Sequence, residues 1–343
     1  MLILGEHDVK RVLTDLSVAE CRRLLNSMSE ALSDYSQGRG TAAPRIHQPQ
    51  RHVFTTNSGN CSLFMPASNT ATTGIKIVTL SGGGNAKGAI NVFAPEGELL
   101  GLVNAEEVTA FRTALASMIA FTRSPLPKAH IVVFGAGKQA EWHIKLAVLL
   151  TAGAIQTVTV FSRKSSTLKD LDSRLTQLKE AHTSVAFHLV AKDESPDYEG
   201  DLRGALQASD AIMCCTPSTE PLFPASCLGI GSDSQPKRRF ISLIGSYKPE
   251  MQEVDSATIL SGSPIYVDVA EGCLQEAGEL IKAGVKGSKL FEIGNLGADE
   301  ALDTNGGNII FKCVGMGIMD IVVAAELIKV AQAAGIGRTI GDF

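Results

Sequence analysis

One junction constrains this chain more than any other: residues 129–150, AHIVVFGAGKQAEWHIKLAVLL. An apolar run at 131–134 passes through Gly135-Ala136-Gly137-Lys138-Gln139-Ala140 into a segment with helical patterning. This is the strand–turn–helix opening of a dinucleotide-binding unit, with alanine in place of the third glycine. Gly135 permits the tight turn out of the strand, and Gly137 lets the backbone approach a pyrophosphate. Ala140 is small enough for the helix to lie close on the strand. The start of the helix, with Lys138 and Gln139, offers N–H groups and the positive end of the helix dipole to the phosphates. A plain tight turn would share the glycines. The strand before, the helix after and a second strand at 157–161 favour the dinucleotide site.

From residue 128 onward strand and helix patterns alternate, which argues for a parallel sheet with helices on both faces. Candidate strands are 130–134, 157–161, 185–189, 211–215, 240–243 and 264–267, with helices plainest at 141–150 and 168–181. The preceding part has another texture. Residues 6–37 are helical in pattern, with a capping box at Ser17 and Glu20. Residues 45–77 hold short β-like pieces between Pro, Asn, Gly and Ser, and alternation marks a strand at 74–80. Residues 81–85 suggest a flexible turn, 89–93 and 99–103 a hairpin, and 105–122 a helix. The Ser124-Pro125-Leu126-Pro127 segment is the best linker. An alanine-rich apolar helix at 318–334 is expected to return to the first domain. The expected fold class is α/β. A Rossmann-type domain at 125–308 joins a mixed α+β substrate and dimerisation domain, built from 1–124 together with 309–343.

With 343 residues the chain has room for two domains. A net charge of −5 with no long basic run argues against nucleic acid or an anionic membrane as partner. No run of ~18 apolar residues indicates a membrane span, and the N-terminus lacks a basic, long-cored signal sequence. The seven cysteines are odd in number and lack a CxxC spacing, so neither a metal site nor a disulfide framework is indicated. A reducing, cytoplasmic compartment fits best.

Past the second strand the chain reads Phe161-Ser162-Arg163-Lys164-Ser165, with no acid to bond a ribose 2′-hydroxyl. Arg163 can pair a 2′-phosphate and Ser162 or Ser165 can donate to it, which favours NADPH over NADH; a solvated loop arginine is the plainer alternative. Thr216-Pro217 after the fourth strand and Gly245-Ser246 after the fifth belong to the same cofactor edge. In the first domain, Arg45, Lys76 and Arg112 stand in otherwise uncharged contexts. A cation in an apolar stretch needs a partner. A structural salt bridge explains one such cation. Three beside a cofactor domain suggest a site for an anionic substrate such as a carboxylate.

The segments PRIH, LFMPA, TGIKIV, VTAFRTALAS, VFGAGKQAEWHIKLA, IGSYKPEMQEVD and IIFKCVGMGIMD together resemble the ornithine cyclodeaminase/μ-crystallin family, from about residue 45 to the C-terminal helix. The resemblance implies a two-domain homodimer. It places Arg45, Lys76 and Arg112 at catalytic and carboxylate-binding positions, with Met65 and Tyr247 beside the substrate. The family includes cyclodeaminases, alanine and opine-like dehydrogenases and NADPH-dependent ketimine reductases. Where the cyclodeaminases carry an acid after the Gly-Ser pair, this chain has Tyr247. A diamino acid needs a base to make its amine neutral before oxidation, and a phenol offers no carboxylate for that step. The expectation is therefore an NADPH-dependent reductase of an imine carboxylate, acting in amino-acid metabolism. The alternatives are an ornithine or lysine cyclodeaminase using NAD catalytically, and a non-catalytic NADPH-binding, crystallin-like protein.

Overall fold

The structure is a computed structural model describing residues 1–81, 86–231, 236–297 and 300–341. Residues 82–85 of the expected flexible turn therefore lie outside the described residues. The chain divides into two compact units, Met1–Leu115 with Gly315–Phe343, and Ala116–Val314.

The first unit opens with β1 (Leu2–Leu4), α1 (Glu6–Thr14) and α2 (Val18–Gly38). Ser17 caps α2: its hydroxyl accepts from the Glu20 N–H, and Glu20 accepts from the Ser17 N–H, the reciprocal pairing of a capping box. Strands β2 (His52–Thr55), β3 (Cys61–Ser68), β4 (Thr73–Leu80), β5 (Lys87–Phe93) and β6 (Leu99–Asn104) follow as an antiparallel meander. The β5–β6 hairpin is the one its Pro-Glu-Gly turn signals. The next helix, α3 (Ala105–Arg123), begins in this unit.

The second unit contains β7 (His130–Phe134), α4 (Lys138–Leu150), β8 (Thr157–Ser162), α5 (Ser165–Arg174), α6 (Thr176–Ala181), β9 (Ala186–Ala191) and α7 (Tyr198–Ala208). It continues with β10 (Ala211–Cys214), β11 (Phe240–Leu243), α8 (Ser256–Leu260), β12 (Gly262–Val267), α9 (Ala270–Glu276), α10 (Gly278–Lys282), β13 (Leu290–Glu292) and β14 (Asn308–Lys312). All its strand pairings are parallel, in the order β13-β12-β14-β11-β10-β7-β8-β9. The strands β10, β11 and β14 are buried at every residue, as expected of a parallel sheet covered on both faces. The strand order reverses between β7 and β10, which is the topological switch point where ligands of open α/β sheets bind.

The return segment gives α11 (Gly317–Ala333) and β15 (Arg338–Thr339). In the first unit β15 and β1 complete the sheet β15-β1-β6-β5-β4-β3-β2. Helix α11 covers one face of it. A Cβ at Gly74 would lie 2.4 Å from the Ile321 side chain, and one at Gly101 2.7 Å from that of Ile328. These two glycines let the helix lie close along the sheet. The face beneath it carries Met65, Ala67, Lys76, Ile90, Val92 and Val103, all buried.

Two boundaries differ from the sequence expectation. Residues 309–312 are not part of the return: Asn308–Lys312 is a central strand between β11 and β12. Its continuous apolar run is the pattern of a fully buried parallel strand, whereas the change of texture after it marks the return. The division also falls within α3 rather than at Pro125–Pro127, because α3 runs unbroken to Arg123 and its two halves pack in different units.

Candidate active site

In the first unit the registers β3–β4, β4–β5 and β5–β6 put Met65, Lys76, Ile90 and Val103 in one cross-sheet row. Lys76 is thus a cation planted among apolar neighbours under α11. Its partner comes from that helix: Nζ lies 3.1 Å from Asp320 Oδ1. Arg112, on α3, brings its Nε to the same oxygen, also at 3.1 Å. The Asp320 side chain is 0% exposed, and Lys76 and Arg112 only 3% and 6%. Burial lowers the Lys76 pKa to about 8; Asp320 opposes the fall and Arg112 adds to it. Gly315 is needed here, since a Cβ would stand 2.5 Å from Arg112 Nη1 and its φ of +87° suits only glycine. Met65 bounds the same region, its carbonyl 2.9 Å from where a Cβ of Gly317 would be.

Two buried cations share the Asp320 carboxylate among apolar side chains, and the Arg51 guanidinium adds its positive charge at Lys76. Such a site can hold an anion, and its lysine can give up a proton at mildly alkaline pH. Arg45 is not brought into this set: its side chain is 74% exposed and its ion pair, at 3.5 Å, is with Asp34.

In the second unit the glycine turn has the geometry its sequence implies. Gly135 follows β7 with φ +107°, and a Cβ there would stand 2.9 Å from the Cys215 carbonyl at the end of β10. Gly137 is the N-cap of α4, and a Cβ on it would meet nothing within 4 Å. The turn is therefore open on the side where a phosphate approaches a helix N-terminus. Ala140 is fully buried at the helix–sheet contact. This cradle fits a dinucleotide pyrophosphate.

Residues not anticipated from sequence brace the turn. Arg174 of α5 donates from Nη2 to the Ala136 carbonyl at 2.8 Å and from Nε to Glu141 at 2.7 Å. Glu141 also pairs with Lys145 at 2.7 Å. Burial drives the His143 pKa down to about 4. As a neutral ring, its Nδ1–H donates to the Gln139 carbonyl at 2.7 Å and its Nε2 accepts from Ser117 Oγ at 2.8 Å.

Ser162 and Arg163 stand at the end of β8. The Ser162 hydroxyl lies 3.0 Å from that of Thr167, and Arg163 is exposed with no ion pair among the described residues. At the ends of β10 and β11, the N–H groups of Thr216 and Gly245 both donate at 2.7 Å to the carboxylate of Glu253. Pro217 is exposed beside them. Ser246 is fully buried: its hydroxyl donates to Glu279 and accepts from Lys312 Nζ. Tyr247 is 40% exposed, with the Lys248 ammonium 5.9 Å from its ring centre.

Asp320 and Lys312 were legible in principle. A lone carboxylate in the apolar start of α11, or a lysine ending the run Ile309-Ile310-Phe311, is the same signal that singles out Lys76 in its strand.

The residues 6–333 match the Ornithine cyclodeaminase/mu-crystallin family. An uncharacterized protein of Saccharomyces cerevisiae is 31% identical over 95% of this chain and 96% of its own length. A Delta(1)-pyrroline-2-carboxylate reductase of Bacillus cereus is 26% identical over 95% and 98%. Among solved structures, the Delta(1)-pyrroline-2-carboxylate reductase of Thermococcus litoralis, in complex with NADH and L-proline, superposes with a TM-score of 0.79. It is 21% identical, over 99% of this chain and 100% of that one. At that identity the likeness is one of fold. The glycine turn, the parallel sheet and the match over nearly the whole chain agree: this protein belongs to the ornithine cyclodeaminase/mu-crystallin family.

Proposed function

We propose that the protein is an NADPH-dependent reductase of a small imine carboxylate, giving a cyclic or N-substituted amino acid. Δ1-Pyrroline-2-carboxylate and Δ1-piperideine-2-carboxylate are the first candidates. The chain is an oxidoreductase of its family, and the reductase of Bacillus cereus, similar along nearly its whole length, supports this choice of substrate class. The observation that carries the reading is the Lys76–Asp320–Arg112 set, in which two buried cations share one carboxylate oxygen.

A bound nicotinamide supplies reducing equivalents to the carbon of a C=N bond. The remaining work falls to the chain's own residues. Arg112 holds the substrate carboxylate, and Met65, beside Lys76 in the sheet, bounds the substrate. Lys76 Nζ, as an ammonium, gives a hydrogen bond or a proton to the imine nitrogen. Asp320 keeps both cations in place. Positioning and charge account for most of the rate.

On the cofactor side, the turn 135–140 holds the pyrophosphate, Thr216, Pro217, Gly245 and Ser246 line the nicotinamide side, and Arg163 with Ser162 takes the 2′-phosphate. Equilibrium binding of NADPH and NADH tests this assignment. NADPH binds more tightly, and Arg163→Ala removes roughly tenfold or more of that preference, the worth of a charge-assisted pair. Equal affinities in the unaltered protein would overturn the NADPH assignment. A missing acid at Tyr247 speaks against the cyclodeaminase alternative. The family reading also makes the protein a homodimer. An archaeal alanine dehydrogenase of the same fold is a dimer, and Val53 and Phe54 on edge strand β2 are 53% and 52% exposed.

A further inference from the structure

Beneath the loops that end β10 and β11 lies a set of buried charges that the proposed chemistry does not use. Lys312 Nζ, at the end of β14, pairs with Glu279 of α10 at 2.9 Å and donates to the Ser246 hydroxyl. Glu253 lies nearby, 0% exposed, and its carboxylate joins the Thr216 and Gly245 amides. The other titratable groups facing it are the thiols of Cys214 and Cys215. Burial first, and Glu253 second, holds both far above their ordinary pKa, so they stay neutral. One ammonium thus faces two carboxylates, an excess of one negative charge when all are ionised.

The phosphate turn after β7 and the ribose-binding end of β8 set the adenosine side of a dinucleotide, so its nicotinamide side lies over β10 and β11. The oxidised nicotinamide ring carries a positive charge and the reduced ring carries none. We infer that Glu253 reads the charge of the bound ring: when ionised it favours the oxidised cofactor, and binding of the oxidised form expels its proton. The inference rests on the reading of the second unit as a nicotinamide-binding domain. Burial above all, with Glu279 adding to it, raises the Glu253 pKa to about 7 while Lys312 opposes the rise. The coupling therefore operates across neutral pH.

The experiment is calorimetric titration of the full-length protein with NADP⁺ and with NADPH between pH 6 and 8.5, in buffers of differing ionisation enthalpy. The 2′-phosphate is common to both ligands, so its own titration cancels in the ratio of affinities. The ratio should shift toward NADP⁺ as pH rises, on the order of tenfold for unit charges about 12 Å apart at an effective dielectric near 20. NADP⁺ should release more protons than NADPH. Glu253→Gln should flatten the ratio. The proton count on the native protein decides the matter even if that variant folds poorly. An affinity ratio constant with pH, or equal proton release by the two ligands, would overturn the inference while leaving the cofactor assignment intact. Failure of both cofactors to bind would instead overturn the underlying reading of the domain.

Discussion

At the residue scale the account turns on Lys76, Arg112 and Asp320. If Lys76 gives a proton to the imine nitrogen, its ammonium form is the active one. Below pH 8 that form dominates, so kcat/KM should fall as pH rises through about 8. Lys76→Met should lower kcat more than it raises KM and erase that alkaline limb; a limb that persists would show that another group titrates. Arg112→Ala should raise KM for the imine acid by roughly ten- to a hundredfold, through loss of a charge-assisted pair to the carboxylate. Its NADPH affinity should stay close to that of the unaltered protein. Equal losses for substrate and cofactor would make Arg112 structural. Asp320→Asn removes the counter-charge of two buried cations and should cost about 3–5 kcal/mol in denaturant unfolding. A change within experimental error would mean that the set is not held by that carboxylate.

At the element scale the decisive contacts are those that hold the glycine turn. Arg174 joins α5 to the Ala136 carbonyl and to Glu141 of α4. Arg174→Ala should cost about 1–3 kcal/mol, the worth of hydrogen bonds to a buried charged group, and weaken cofactor binding through a loosened turn. Unchanged NADPH affinity would show that the turn holds itself. The turn was legible because each of its residues is constrained locally: Gly135 by its φ, Gly137 by open space, Ala140 by helix–sheet contact. Arg174 was not legible, since nothing local marks an arginine at the end of a short polar helix. Lys76 stood out as a charge in an apolar strand, whereas its partner is 244 residues away and is revealed only by the packing of α11 on the sheet. Strand β14 carried a plain buried-strand pattern, yet its place between β11 and β12 depends on a crossover that periodicity does not encode.

At the scale of the whole molecule, alternating strand and helix patterns made the parallel sheet readable, because each βαβ step is a local event. The division within α3 was not readable, since a continuous helix gives no signal where its packing changes units. No helix among the described residues is long and apolar enough to cross a membrane. Sedimentation equilibrium should give a mass twice the chain's 36.2 kDa; a 36.2 kDa particle at micromolar concentration would contradict the homodimer. The central claim is reduction of an imine carboxylate, and the absorbance of reduced nicotinamide tests it most directly. With purified protein and Δ1-pyrroline-2-carboxylate, NADPH should be consumed with formation of an equal amount of proline, while ornithine and lysine release no ammonia. Ammonia release from ornithine with no net consumption of cofactor would contradict the account and establish a cyclodeaminase.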